Sequence, residues 1–378
     1  MSGSSPGMRV AHLTSVHRRY DTRIFFKECR SLAARGFSVS LVVADGSGDE
    51  MRDGVTIVSV GAPKGRARRM LHTTRQVARR ALEMDAELYH IHDPELLPVA
   101  LWLKQRGRRV IFDAHEDLPE QVRGKSYIPR RLRPLVAGTA GLLVKNACRR
   151  LDGVVAATPY IRDQFVAMGV RCIDADNFPM LGELDLTDRP SAKRQQVCYI
   201  GSIAAVRGVR DAVRAMSLVQ PGTRLALAGQ LAGSDVETAV QREAGWARVD
   251  ALGFLDRRQI REVLGHSIAG LVTLHPNGNF LNALPVKMFE YMAAGIPVIA
   301  SDFPLWRRIV EEAECGLLVD PLDPAAIAAA IDRLVGDPEM ARRMGENGRR
   351  AVLERYNWGV EEQKLFAFYD AILSREAA

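Results

Sequence analysis

Residues 282–301 read NALPVKMFEYMAAGIPVIAS. A turn carrying Pro285 leads into a short amphipathic helix. Gly295 closes that helix, Pro297 follows, and the apolar run IPVIAS (296–301) reads as a buried strand. The start of such a helix offers unpaired backbone N–H groups to an anion. Glu290, about one and a half turns further on, can accept hydrogen bonds from sugar hydroxyls. A nucleotide-sugar diphosphate makes both demands. The segment reads equally as a core helix-to-strand unit with one exposed glutamate, since such units are common in α/β proteins.

Outward from this segment the chain repeats the same alternation. Strand-like runs occur at 9–15, 38–44, 55–60, 88–92, 109–115 and 153–159. A second series occupies 196–202, 224–230, 249–255, 270–276, 296–301 and 316–320. Short continuous apolar strands separated by helical stretches predict buried parallel sheets. The first helical stretch, RIFFKECRSLAARG, ends at Gly36. Between the series lies DNFPMLGELDLTDRP (176–190), a polar loop with two prolines. The expected architecture is α/β, with two Rossmann-like doubly wound domains, 1–180 and 181–359, and substrates at the carboxyl ends of the strands in the cleft between them.

At 378 residues the chain is long enough for two ordinary domains. Five scattered cysteines without a CxxC pair, and a leader without an apolar run, predict a cytoplasmic protein with reduced thiols. No stretch is apolar enough for the roughly 20 residues of a bilayer span. The net charge of +7 is uneven: residues 1–180 carry 29 Lys and Arg against 19 Asp and Glu. Windows 64–80 and 123–150 hold seven and eight basic residues and no acid, and the second embeds LVAGTAGLLV (135–144). They suit an anionic membrane surface or lipid diphosphate, or else form a solvated basic face. Nucleic acid is not expected, because neither window interleaves aromatics for base stacking.

The block Pro285–Ser301 resembles the signature of glycosyltransferase family 4, the retaining "glycosyl transferases group 1" enzymes that include glycogen synthases and mannosyltransferases. That family carries two glutamates eight positions apart before a run like MAAG-x-PV-x-AS. Glu290 matches the second; Asn282 stands in place of the first. The resemblance extends from Arg9 to about Trp358 and implies the GT-B fold. The first domain would bind the acceptor and the second the nucleotide-sugar donor. Helix 360–378 would pack back on the first domain.

The same resemblance implies roles for individual residues. Glu290 would hold the ribose hydroxyls, and Asn282 would bond the transferred sugar without acting as a base. His115, at a strand end in FDAHEDLP, would assist near the anomeric centre. After the first strand of the second domain the family pattern is Gly-Arg, then Lys-Gly. Here Gly201-Ser202 and Arg207-Gly208 occupy those positions, so Arg207 clamps the diphosphate and the other cation is missing. Lys287 is a candidate to replace it, and the backbone at Ala283 and Leu284 to hold phosphate. His17, Arg18, Arg19, Asp21 and Arg23 in SVHRRYDTR, with Glu116 and Asp117, are expected on the acceptor side. Asp21 reads equally as a helix cap.

The implied activity is retaining transfer of a sugar from a nucleotide diphosphate, UDP first and GDP-mannose second, to a hydroxyl acceptor. An envelope polysaccharide, O-antigen or glycolipid acceptor, free or lipid-linked, fits a peripheral site at the inner membrane face. No metal or other cofactor is expected. Three rivals stand beside it, one of them a GT-B phosphorylase, which would need sites for inorganic phosphate and an extended glucan. His90 and His92 in YHIHDPELLP, with His115, suit a metal-dependent hydrolase. A nucleotide-sugar-binding protein without catalysis fits the Asn282 and Ser202 departures. Asp174-Ala175-Asp176 reads as an accidental DxD.

Overall fold

The computed structural model describes residues 7–63, 65, 68–124, 128–184, 186, 195–230 and 233–374. The chain divides into two compact units, Met1–Asn177 with Gly359–Ala378, and Phe178–Trp358. The break thus falls at 177/178 rather than at 180/181. The final helix runs Trp358–Leu373; residues 375–378 of the expected 360–378 lie outside the described residues. So do Lys64, Arg66 and Ala67 of the first basic window, 125–127 of the second, and 185 and 187–190 of the expected inter-domain loop.

In the first unit the strands are β1 (Arg9–Leu13), β2 (Ser38–Ala44), β3 (Glu50–Arg52), β4 (Val55–Val60), β5 (Leu88–Ile91), β6 (Arg109–Ala114), β7 (Gly153–Ala156) and β8 (Cys172–Asp174). Their order is β3-β4-β2-β1-β5-β6-β7-β8. All neighbours are parallel except β3 on β4. The sheet grows from β1 in both directions, so its switch point lies at the carboxyl ends of β1 and β5, where such folds bind ligands. β3 and β8 were not expected: three residues are too few for a periodic signal.

The second unit repeats this plan with β9 (Gln196–Ile200), β10 (Arg224–Ala228), β11 (Val249–Gly253), β12 (Ala269–Val272), β13 (Val298–Ser301) and β14 (Gly316–Val319). The order is β11-β10-β9-β12-β13-β14, all parallel. The switch point falls between β9 and β12. One face of this sheet packs on Met288, Phe289, Tyr291 and Met292 of helix Val286–Ala293. The other packs on Val209, Ala212, Val213 and Ile331. Gly295 (φ +69°) takes the left-handed turn that ends helix Val286–Ala293.

The two faces of the first sheet differ. Ala11, Leu13, Tyr89 and Ile91 join an apolar core. The alternate positions, His12 and His90, are paired in register and fully buried on the opposite face. A π-helical turn, Ile24–Cys29, covers that face where a plain helix was expected. It brings Glu28 over the histidines, and Tyr369 of the final helix joins them.

Candidate functional site

At the switch point of the second unit, β9 runs into a loop that turns at Gly201 (φ +127°) and Gly208 (φ +68°). Gly208 must be glycine: a Cβ there would lie 1.7 Å from the Thr273 carbonyl oxygen. This close approach seats Arg207 beside Phe280, with its guanidinium 5.7 Å from the ring centroid. Ser202 is exposed.

Lys287 comes up beneath this loop from the first turn of helix Val286–Ala293. It is 7% exposed, and its Nζ has no hydrogen-bond partner. The ammonium stands 3.5 Å from the centroid of the Tyr199 ring, and a Cβ on Gly201 would come within 3.4 Å of it. Burial, reinforced by the charge of Arg207, pushes its pKa well below the usual lysine range. The first intrahelical bond, Met288 N to Pro285 O at 2.9 Å, leaves the Val286 and Lys287 amides at the helix start.

Glu290 is held more firmly than its sequence position suggests. Arg257 Nη1 donates to its Oε1 at 2.6 Å, and Arg257 Nε donates to Glu183 Oε1 at 2.6 Å. Sequence reading missed both partners, which lie 33 and 107 positions away. Asn282 ends the short helix Gly278–Leu281. The Ala283 amide, expected to face phosphate, already donates to Phe280 O at 3.2 Å, and Trp306 Nε1 donates to Ala283 O at 2.7 Å. The backbone at 283 is therefore tied into the fold on both its amide and its carbonyl, unlike the helix start at 286–287. Leu284 is half-buried just before that start. A further pair was missed: His275 Nε2 lies 2.7 Å from Asp211 Oδ2, behind the Gly208 turn.

In the first unit, Asp113 at the end of β6 is the hub. Arg23 donates to it twice, from Nε at 3.0 Å and Nη2 at 2.8 Å. His92 Nδ1 and His115 Nε2 each lie 3.0 Å from its Oδ2. Burial opposes its ionisation, yet Arg23 and His115 hold its pKa well below the usual carboxylate range. His115 thus turns Nε2 inward, and its ring stacks on His17 with centroids 4.8 Å apart. Burial alone would lower the pKa of His17, but a hydrogen bond to Asp21 and the charge of Asp93 outweigh it and raise it.

The expected acceptor residues separate into groups. His17 and His115 come together. Arg18 is exposed. Arg19 is occupied by Asp45 and Glu50 at 2.6 and 2.7 Å, and Arg23 is buried on Asp113, so neither guanidinium faces an acceptor. Asp21 caps the π-helical turn, accepting from Arg23 N and Ile24 N at 2.8 and 3.0 Å. Asp117 caps helix Leu118–Arg123, and the exposed Glu116 pairs with Gln121. A hydrolase built on His90, His92 and His115 needs a ligand position open to substrate, but His90 and His92 are 0% and 1% exposed. Asp174 of the DxD pairs with Arg162 and Lys364.

Two doubly wound units, each a parallel sheet with its own switch point, define an α/β protein of GT-B type. Two family models match the chain: "Glycosyl transferase 4-like domain" over residues 24–176 and "Glycosyl transferases group 1" over residues 188–351. The chain belongs to this family of glycosyltransferases. It is 28% identical over 207 residues to the alpha-D-kanosaminyltransferase of Streptomyces kanamyceticus, covering 53% of this chain and 51% of that protein. The chain spans about half the length of the curated relatives it matches. A sucrose-phosphate synthase from Thermosynechococcus elongatus shares the fold, with a TM-score of 0.76 at 19% identity over 97% of this chain and 99% of that one. So does Anabaena HepE in complex with UDP, with a TM-score of 0.73 at 15% identity over 96% and 100%.

Proposed function

We propose that this protein is a retaining glycosyltransferase that moves a sugar from a nucleotide diphosphate, UDP first and GDP-mannose second, to a hydroxyl acceptor. One observation carries the reading: the Lys287 ammonium is buried without a hydrogen-bond partner beside Arg207 and a helix start. Burying a cation unpaired is costly, and an incoming diphosphate supplies the missing partner. Lys287 thereby replaces the cation lost at Ser202. Two side-chain cations and a helix start stabilise the leaving diphosphate, so the transfer step needs no metal. Glu290, oriented by Arg257, keeps Oε2 for the ribose hydroxyls. By family resemblance His115 and Asn282 attend the transferred sugar; Nε2 of His115 is engaged by Asp113, which leaves Nδ1 to accept a hydroxyl proton.

A lipid-linked acceptor at an anionic membrane face is the fitting class. On helix Arg133–Cys148, Leu135, Val136, Leu142 and Leu143 are 40–69% exposed, and Leu132 just before it is 50% exposed, close to Arg130 and Arg131. Among the described residues no helix is long and apolar enough to cross a membrane; the attachment proposed is through this exposed apolar and basic face.

Thermal-shift screening with UDP, GDP, ADP and TDP, with and without EDTA, tests the donor site. A nucleotide at 100 times its Kd adds about 2.7 kcal/mol. One nucleotide should give an EDTA-insensitive shift that is lost in Glu290→Ala; no shift with any nucleotide would sink the reading. The anomeric configuration of the product, read by NMR, tests retention. Flotation with phosphatidylglycerol vesicles tests the membrane, and no preference over neutral vesicles would remove it.

A further inference from the structure

The polar face of the first sheet holds donor atoms that the transfer reaction does not use. His12 Nδ1, His90 Nδ1 and His92 Nε2 lie 3.8, 3.8 and 3.9 Å from Glu28 Oε2, and His12 Nδ1 is 2.9 Å from His92 Nε2. All four side chains are fully buried, and one ligand atom from each lies within 4.8 Å of every other. The corners of a tetrahedral zinc site, with bonds of about 2.0–2.1 Å, stand about 3.3–3.4 Å apart. We propose that His12, Glu28, His90 and His92 form a closed structural site for a divalent cation, zinc by its donor set.

Three observations converge on this assignment. Neither Glu28 oxygen has a hydrogen-bond partner, although Arg23 Nε lies 3.0 Å from Oε1 as an ion pair. A buried carboxylate with no directed donor keeps its lone pairs for a cation. The charges also fall short: two buried carboxylates, Glu28 and Asp113, face the one guanidinium of Arg23. Finally, the surroundings already have the outer layer of a metal centre. His92 offers Nε2 inward while Nδ1 meets Asp113 at 3.0 Å, the carboxylate–histidine–metal arrangement. Tyr369 Oη, 2.8 Å from His90 Nδ1 and 3.3 Å from His12 Nε2, would yield the former and accept from the latter.

Loading requires the His12–His92 contact to widen by about 0.4 Å to reach tetrahedral spacing. With four protein ligands no position is left for substrate, so the ion ties β1, β5, the π-helical turn and, through Tyr369, the final helix together. The neighbouring triad His92, Asp113 and His115 is the weaker candidate, because Arg23 already occupies both Asp113 oxygens.

Elemental analysis of tag-free full-length protein, expressed with zinc and gel-filtered in EDTA, tests the site without any activity assay. About one zinc per chain is expected, falling at least about tenfold in His12→Asn/Glu28→Gln. Should that variant not fold, wild-type protein refolded with cobalt should show the intense visible absorption of a tetrahedral centre. Less than about 0.1 metal per chain after refolding with zinc would overturn the proposal. So would metal content unchanged in a folded double variant, or cobalt bound without tetrahedral absorption.

Discussion

The two switch points leave buried groups of opposite sign without partners. In the second unit the orphan is a cationic side chain, Lys287 Nζ; in the first it is the carboxylate of Glu28. Beside each orphan stand ionic groups that are paired: Glu290 by Arg257, Asp113 by Arg23 and two histidines. Satisfied buried networks are architecture, while a buried group missing one partner of known sign predicts what binds there. By that argument the second unit awaits an anion and the first a cation.

Lys287→Met is the sharpest way to break the comparison. We expect UDP affinity to fall about 100-fold, equivalent to about 2.7 kcal/mol, while the free protein becomes more stable by about 1 kcal/mol, since an unsatisfied buried group is removed at the loss of one cation–π contact. Titration calorimetry and thermal melts read both. A mutant that binds UDP as wild type would show that the ammonium is not part of the site. The wild type adds a sign. Its Lys287 pKa is depressed, so at any pH where the free side chain is neutral diphosphate binding draws a proton onto the amine. UDP affinity should weaken as pH rises above the free-state pKa, with proton uptake visible in buffers of different ionisation enthalpy.

Glu290→Gln comes next, with UDP binding weakened about tenfold, because the amide keeps one acceptor but loses the charge. Arg257→Lys should weaken it less, since the ammonium preserves the charge but not the fork that fixes the carboxylate. Equal losses in both would mean that Arg257 itself touches the nucleotide.

Asp176 is a further buried acid, next to Ala175, whose carbonyl accepts from Arg23. Burial, with Glu361 and Asp174 nearby, raises its pKa to about 8. The folded state therefore holds a proton that the unfolded chain releases near pH 4. Its contribution is fully present below about pH 4 and is lost as pH rises to about 8. Asp176→Asn should flatten that slope and raise the melting temperature at pH 7 by a few degrees, about 2–4 °C per kcal/mol. An unchanged slope would place the titration elsewhere.

What was legible in the sequence follows from the range of each interaction. The parallel strands were readable because each buries consecutive apolar residues within a few positions. The helix start and Glu290 were readable because a local turn positions them. The polar cluster was not: His12, Glu28, His90, His92 and Tyr369 are brought together only by the β1–β5 register and the final helix, from positions up to 357 residues apart. The alternation of His12 with Ala11 and Leu13, matched by His90 between Tyr89 and Ile91, was the available signal. Arg19 and Arg23 looked like ligand contacts for the same reason. Their partners Asp45 and Asp113 are distant in sequence, and an arginine in a loop shows its charge but not its salt bridge.

The smallest expected effect tests compensation between Ser202 and Lys287. If Lys287 supplies the charge that Ser202 lacks, then Ser202→Arg restores the family's usual residue in a site already served. Ser202 is exposed, so an added guanidinium there is screened and worth about 0.2–1 kcal/mol, at most about fivefold in UDP affinity at low salt. In the Lys287→Met background the same arginine meets a diphosphate with one cation fewer, and the gain should be larger. Coupling of this sign in a double-mutant cycle would establish that the two positions share one phosphate. Strict additivity would show that they act at separate places, and Lys287 would then need another anion to explain its burial.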